Sequence, residues 1–212
     1  MIERLLKYRF LFEELVKRDF KAKYKRTVLG MVWSVLSPLL MLTVMAIIFG
    51  NFFGRNIEHY VIYLFSGQVI FNYFTEATTE GMQALVSNSS IFTKINVPKY
   101  LFLFSKNVSA LINFGIILVI YFGFVAIEGI SFTWQFLLLV YPVICLIIMN
   151  LGIGLILSAL YIFFKDIQYL YRLFTQIVMY GSAIFYSIDI LPQHLQAVFY
   201  CNPIFVLSLI HI

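Results

Sequence analysis

The sequence predicts an all-α integral membrane protein, a polytopic helical bundle. Three observations carry that reading: 62% of the 212 residues are hydrophobic, only 12% are charged, and the apolar residues are gathered into five long runs. A soluble domain has about a quarter of its residues charged, so a fold packed in water is excluded. Both cysteines, Cys145 and Cys201, stand alone and form neither a disulfide framework nor a paired metal motif.

Each helical residue rises about 1.5 Å and the hydrocarbon core is about 30 Å thick, so a span needs about 20 apolar residues. Five segments qualify, at about 28–53, 60–79, 106–127, 134–164 and 173–188. The fourth is longer than the bilayer is thick and contains Pro142, which predicts tilt or a kink. The charged segment before the first run, and the length of that run, do not fit a cleavable signal peptide.

Cations near span ends are retained on the cytoplasmic side. Arg4, Lys7, Arg9, Lys17, Arg18, Lys21, Lys23, Lys25 and Arg26 precede the first span; Lys94, Lys99 and Lys106 follow the second; Lys165 and Arg172 follow the fourth. The alternate loops hold only Arg55. This alternation is independent of hydropathy and predicts a cytoplasmic N-terminus, with the residues after the fifth span outside. It also accounts for the basic excess by topology, leaving no case for nucleic acid. One transmembrane domain, 28–212, follows a cytoplasmic segment, 1–27, with no linker or internal repeat between them.

Within that segment Ile2, Leu5, Tyr8, Phe12, Val16 and Phe20 share one side of a helix, with Glu3, Lys7, Glu14, Lys17, Arg18 and Lys21 opposite. Such a helix lies in the membrane interface beside anionic headgroups, either as a topology-setting anchor or as a partner-binding element. Arg9 and Glu13 fall on its apolar side at i,i+4, where they can pair. The cytoplasmic loop, 80–105, is long and contains Ser87-Asn-Ser-Ser-Ile-Phe-Thr-Lys-Ile-Asn-Val-Pro-Lys99. Ser and Asn favour caps, Ile91 and Phe92 make a short helix half apolar, and Pro98 stops it. The result is an ordinary connector or a helix that docks into a groove on another protein.

Lys165 and Asp166 form an opposite pair at the inner interface, as a solvated turn or a gating element. Glu76 and Glu80 at i,i+4 give a weak proton- or cation-relay pattern. Asn107, Asn113 and Asn150 are placed to hydrogen-bond between helices, and Gly154 with Ser158 is a small-xxx-small pair. The segment from Ser187 to Pro203 is too polar to span and lies on the outer leaflet as short helices, within 187–206. His194 has no partners at ligand spacing, and no metal site is expected. GxxxxGK[ST], HExxH and GxSxG are all missing from the sequence, as are paired carboxylates of a soluble site. An uphill transporter built from this chain needs a partner or an ion for energy.

The run Arg18-Asp-Phe-Lys-Ala-Lys-Tyr-Lys-Arg-Thr-Val-Leu-Gly-Met-Val-Trp33, continuing through Ser37-Pro-Leu39 to Phe49-Gly50, resembles the start of ABC-type polysaccharide and polyol-phosphate exporter permeases. Ile95-Asn-Val-Pro-Lys99, Phe164-Lys-Asp-Ile167, Leu191-Pro192 and Asn202-Pro203 extend the resemblance in order along nearly the whole chain. It implies the type-2 ABC exporter permease fold and a bacterial cytoplasmic membrane homodimer, not itself an enzyme. It further implies a separate ATP-binding subunit that holds ATP and magnesium, and a lipid-linked glycan cargo such as O-antigen, capsule or a teichoic-acid-like polymer.

By resemblance, Leu5, Phe12, Val16, Arg18 and Asp19 belong to the interface helix. Asn88, Ser89, Ser90, Ile91, Phe92, Thr93, Lys94 and Pro98 belong to the coupling helix seated in the ATPase. Spans one and five flank the family's pathway, which makes Trp33, Tyr180 and Tyr186 candidate lining residues, although aromatic side chains also fill cores and interfacial belts. Two departures stand out. Lys165 replaces the family's Arg, losing a planar bidentate donor. The family's sixth span is missing, so five spans are expected here with the C-terminal part truncated; Leu207-Ser-Leu-Ile-His-Ile212 looks like translated adapter. Other readings are an ABC exporter of drugs or small lipophiles, a membrane-embedded enzyme on a polyprenol-linked substrate using Glu76, Glu80 or Asp166, and an ion-driven carrier, for which no clear mid-membrane charge is seen.

Overall fold

The computed structural model describes residues 8–25, 27–54, 57, 59–130 and 134–209. Leu5 of the expected interface helix lies outside them. All regular structure among the described residues is helical: α1 (Arg9–Tyr24), α2 (Val32–Phe53), α3 (Tyr60–Ser87), α4 (Ser89–Phe92), α5 (Tyr100–Ile127), α6 (Val140–Phe163), α7 (Ile167–Tyr180), α8 (Gln193–Tyr200) and α9 (Pro203–Leu209). Short 3-10 turns cover Trp134–Leu139 and Ile188–Ile190.

Among the described residues, α2, α5 and α6 are long and apolar enough to cross a membrane. Several boundaries depart from the hydropathy reading. The second helix does not stop near residue 79 but runs 28 residues to Ser87, and the third begins at Tyr100 rather than 106. Hydropathy marks where a helix leaves lipid, whereas backbone hydrogen bonding continues through Glu80 and Gln83 into polar surroundings. The connection between these helices shrinks to 88–99. The fourth span opens as a 3-10 turn, so Pro142 sits in the first turn of α6, where its missing N–H costs nothing. The fifth ends at Tyr180 after 14 residues, about 21 Å at 1.5 Å per residue, short of the ~30 Å core.

Helix α3 is the hub, packing against α2, α5, α6, α7 and α9. Lipid tails are as apolar as leucine, so helices in a bilayer are held by close packing and interhelical hydrogen bonds rather than by water exclusion. Both are present. Phe65, Phe74, Leu146 and Val125 are fully buried where α3, α5 and α6 meet. A Cβ on Gly81 of α3 would lie 3.3 Å from the Gly154 Cα of α6, so the two backbones touch. The Tyr171 hydroxyl donates to Thr78 Oγ1 at 2.6 Å, joining α7 to α3, and Tyr73 donates to Asn107 Oδ1 at 3.1 Å, joining α3 to α5.

At the Tyr60 end of the bundle, Tyr60 donates to the Phe185 carbonyl at 2.9 Å, and the Tyr63 hydroxyl reaches the carbonyls of Ala183 and Tyr186. These contacts hold the 181–186 turn, where Ala183 takes a left-handed φ of 48°. Asn202 closes the same corner, donating to the Gly181 carbonyl and accepting from the Ile204 N–H at the start of α9. Pro203 follows at the first helical position, whose N–H would have no partner in any case.

Asn150, placed by the sequence to bond between helices, is 1% exposed and lies beside the Tyr73 hydroxyl of α3, but neither of its side-chain polar atoms makes a hydrogen bond of full geometry. A buried unpaired amide costs about 1–3 kcal/mol. Asn150→Leu is therefore expected to hold or raise the thermal unfolding midpoint of the purified protein; a fall of several degrees would mean the amide is bonded.

Candidate functional site

The features singled out in the sequence converge at the Asn88 end of the bundle. Helix α1 crosses this end, and its buried face is centred on Leu15, Val16 and Asp19 rather than on the Phe12–Phe20 stripe. Leu15 packs with Ala84, Phe102 and Leu103, and Leu11, Ile91, Phe92 and Phe104 pack around them. Phe12 is half buried. The shift has a polar cause: it brings Arg18 and Asp19 against the ends of α3 and α5.

Arg18 Nη2 lies 2.7 Å from both Asp19 Oδ1 and Asn88 Oδ1, donating to each, and Arg18 Nε donates to Asp19 Oδ1 at 3.0 Å. Asn88 is fully buried and donates to the Ala84 carbonyl at 2.8 Å, so one amide ties the end of α3 to α1. Lys106 of α5 completes the cluster, 2.9 Å from Glu80 and 3.6 Å from Asp19. Two cations thus face two carboxylates, and the charge of the buried Asp19 is met through Oδ1, whereas its Oδ2 is buried without a partner. A second cluster lies beside it, with Lys23 Nζ 2.6 Å from Glu76 and the Asn113 amide donating to Glu76 at 2.9 Å. Glu76 and Glu80 are therefore both engaged in ion pairs.

The connection 88–99 is fastened at several points. Asn88 holds its start through Arg18, and the Tyr8 hydroxyl donates to the Asn96 carbonyl at 3.3 Å. Phe92, half buried, lies with its ring centroid 6.1 Å from that of Phe102, and the Lys99 ammonium lies over the same Phe92 ring, 5.5 Å from its centroid. Ser89, Ser90, Thr93, Lys94, Ile95 and Asn96 are left exposed, Ile91 is half buried, and Pro98 precedes α5. The segment is therefore a short ridge with polar and apolar tips on a fixed base.

Arg9 and Glu13 pair at 2.7 Å, as their spacing allows. Their hydrogen bond, then their opposite charges, hold the Glu13 carboxyl below and the Arg9 guanidinium above their ordinary values. Arg9 is exposed and Glu13 half-exposed, and the pair contributes little to the fold. Lys165 and Asp166 are exposed, and Lys165 lies 4.3 Å over the Tyr161 ring. Trp33 is exposed near the start of α2, while Tyr180 and Tyr186 lie at the other end of the bundle, where the Tyr186 hydroxyl donates to the Tyr180 carbonyl at 2.8 Å. No described contact joins Trp33 to these two tyrosines.

Sequence reasoning missed Leu15, Lys106 and Gly81. Leu15 is one step off the stripe, Lys106 was counted only as a topology signal, and Gly81 shows its role only when paired with Gly154.

The profile of the ABC-2 type transporter membrane family matches residues 11–207. The O-antigen export system permease protein RfbA of Klebsiella pneumoniae is 26% identical over 204 residues, covering 92% of this chain and 77% of its own. A Myxococcus xanthus protein of the same name is 26% identical over 191 residues, covering 89% and 73%. The capsule polysaccharide export inner-membrane protein CtrC of Neisseria meningitidis is 22% identical over 198 residues, covering 92% and 75%. With the profile spanning nearly all of the helical bundle, the chain belongs to the ABC-2 type transporter membrane family.

Proposed function

We propose that this chain is the membrane subunit of an ATP-driven exporter that moves a lipid-linked polysaccharide outward across the bacterial cytoplasmic membrane. The observation that carries the reading is the likeness, along 89–92% of the chain, to relatives named for O-antigen and capsule polysaccharide export. That likeness favours glycan cargo over small lipophiles. The Asn88 end faces the cytoplasm, consistent with the basic residues gathered there, and a separate subunit binds and hydrolyses ATP with magnesium. The exposed ridge 89–96 seats in that subunit. Closure of the ATPase pushes the ridge, and its fastenings pass the movement to α1, α3 and α5, changing the populations of inward- and outward-open states. Two copies of the chain form the pathway, as the resemblance to exporter permeases implies.

Deleting residues 89–94 is expected to leave insertion intact and to abolish the stimulation of ATP hydrolysis by the membrane subunit. The check is ATPase activity of the ATPase subunit with and without the deleted chain in vesicles. Undiminished stimulation would remove α4 from the coupling route.

A further inference from the structure

A cleft of about 540 Å³ opens between the C-terminal end of α1 and helices α2, α3 and α5. Its α3 wall carries Gln68, Asn72, Thr75, Glu76 and Thr79. These positions recur at helical spacing on one face. Gln68 to Thr75 lie 8 to 15 residues past Tyr60, roughly 12–23 Å along the helix, which is the depth of the hydrocarbon if 60–79 is the second span. A polar stripe there is costly unless something polar meets it. Two of its atoms, Gln68 Oε1 and Thr75 Oγ1, are shielded from solvent and have no hydrogen-bond partner. A helical threonine has two ways of setting χ1, and rotation can offer that hydroxyl to a ligand.

The charges at the mouth restrict what the ligand is. Lys23 is paired with Glu76, and Lys106 with Glu80. A phosphate would need an unpaired cation, and a headgroup ammonium an unpaired carboxylate, so each would have to break an existing ion pair. A neutral group rich in hydroxyls needs neither. The facing α2 wall mixes Ser34 and Ser37 with the apolar Pro38 and Met41, beside the exposed indole of Trp33. An aromatic face opposite hydrogen-bonding amides and hydroxyls complements a sugar ring, which has an apolar C–H face and a polar edge.

We infer that this cleft binds an uncharged sugar unit of the cargo, with Gln68, Asn72 and Thr75 meeting its hydroxyls and Trp33 its apolar face. The inference rests on the exporter reading and adds to it a site within one copy of the chain, on α3.

The test uses the whole exporter in its native host, with p-benzoylphenylalanine in place of Thr75. Irradiation is expected to join the chain to material that stains for carbohydrate, and blocking glycan synthesis is expected to remove that adduct. The same probe in place of Val119, exposed elsewhere on α5, should give none. Thr75→Val should lower surface glycan at least threefold while the thermal unfolding midpoint holds or rises, since losing an unpaired hydroxyl removes a cost rather than a bond. Adducts carrying only phospholipid, no carbohydrate adduct at all, or unchanged export by Thr75→Val overturn the site and leave the exporter reading standing. Glycan export that survives deletion of the chain overturns that reading itself.

Discussion

Arg18→Ala is expected to lower glycan export at least tenfold while the chain remains at near-normal abundance in the membrane. The four-residue α4 cannot hold itself, because a helix that short does not repay the cost of its first turn. Its position is set by tethers to α1, of which the Arg18–Asn88 hydrogen bond at 2.7 Å is shorter than the Tyr8–Asn96 bond at 3.3 Å and is the one that carries a charge. Hydrogen bonds to a charged group are worth about 1.5–3 kcal/mol, and a factor of ten corresponds to about 1.4 kcal/mol, so loss of this bond suffices for the effect. Arg18→Lys should rescue poorly, since an ammonium cannot present the planar fork that reaches Asp19 and Asn88 together. Arg9→Ala, which breaks only an exposed pair, should change export by less than twofold. The deciding measurement is a double-mutant cycle on export with Arg18→Ala and Asn88→Ala. Fold losses that simply multiply would show that the two residues act separately, and the tether would then not be the route of coupling.

The contrast between Arg9 and Arg18 marks what a sequence reveals and what it hides. Local spacing was enough to place the Arg9–Glu13 pair and the short half-apolar segment around Phe92, because both depend on residues within a turn or two of one another, whereas the buried face of α1 turned toward Leu15 and Asp19 through contacts with α3 and α5. Hydropathy likewise located the helices, since burial in lipid is a property of each residue by itself. Their ends were less legible, because α3 and α5 continue past the apolar runs as ordinary hydrogen-bonded helix. The clusters built from Arg18, Asp19, Asn88 and Lys106 were not legible at all. They join residues 70 or more positions apart, and a basic residue near a span end looks the same whether it sets topology or pairs with a buried carboxylate. Asn150 is the opposite case: a polar residue in a span usually finds a partner, and this one lies beside the Tyr73 hydroxyl without a hydrogen bond of full geometry.

Gly81→Leu is expected to produce the largest loss of stability of any single substitution considered. The Cβ of any replacement would sit 3.3 Å from the Gly154 Cα, and a backbone atom cannot swing aside as the end of a side chain can. Helices α3 and α6 must therefore separate, and because α3 also contacts α2, α5, α7 and α9, the disturbance spreads through the hub. Overpacking of this kind costs about 1–3 kcal/mol and more when backbone must move, and bilayer helices have no hydrophobic drive to offset the lost contact. Gly81→Ala should lower the thermal unfolding midpoint modestly and Gly81→Leu strongly, with little of the latter reaching the membrane folded. Gly123 provides the control: a Cβ there meets nothing within 4 Å, so Gly123→Ala should leave the midpoint unchanged or raise it slightly through helix propensity. Equal behaviour of the Gly81 and Gly123 variants in a thermal aggregation assay of the purified protein would mean that the Gly81–Gly154 approach does not hold the bundle.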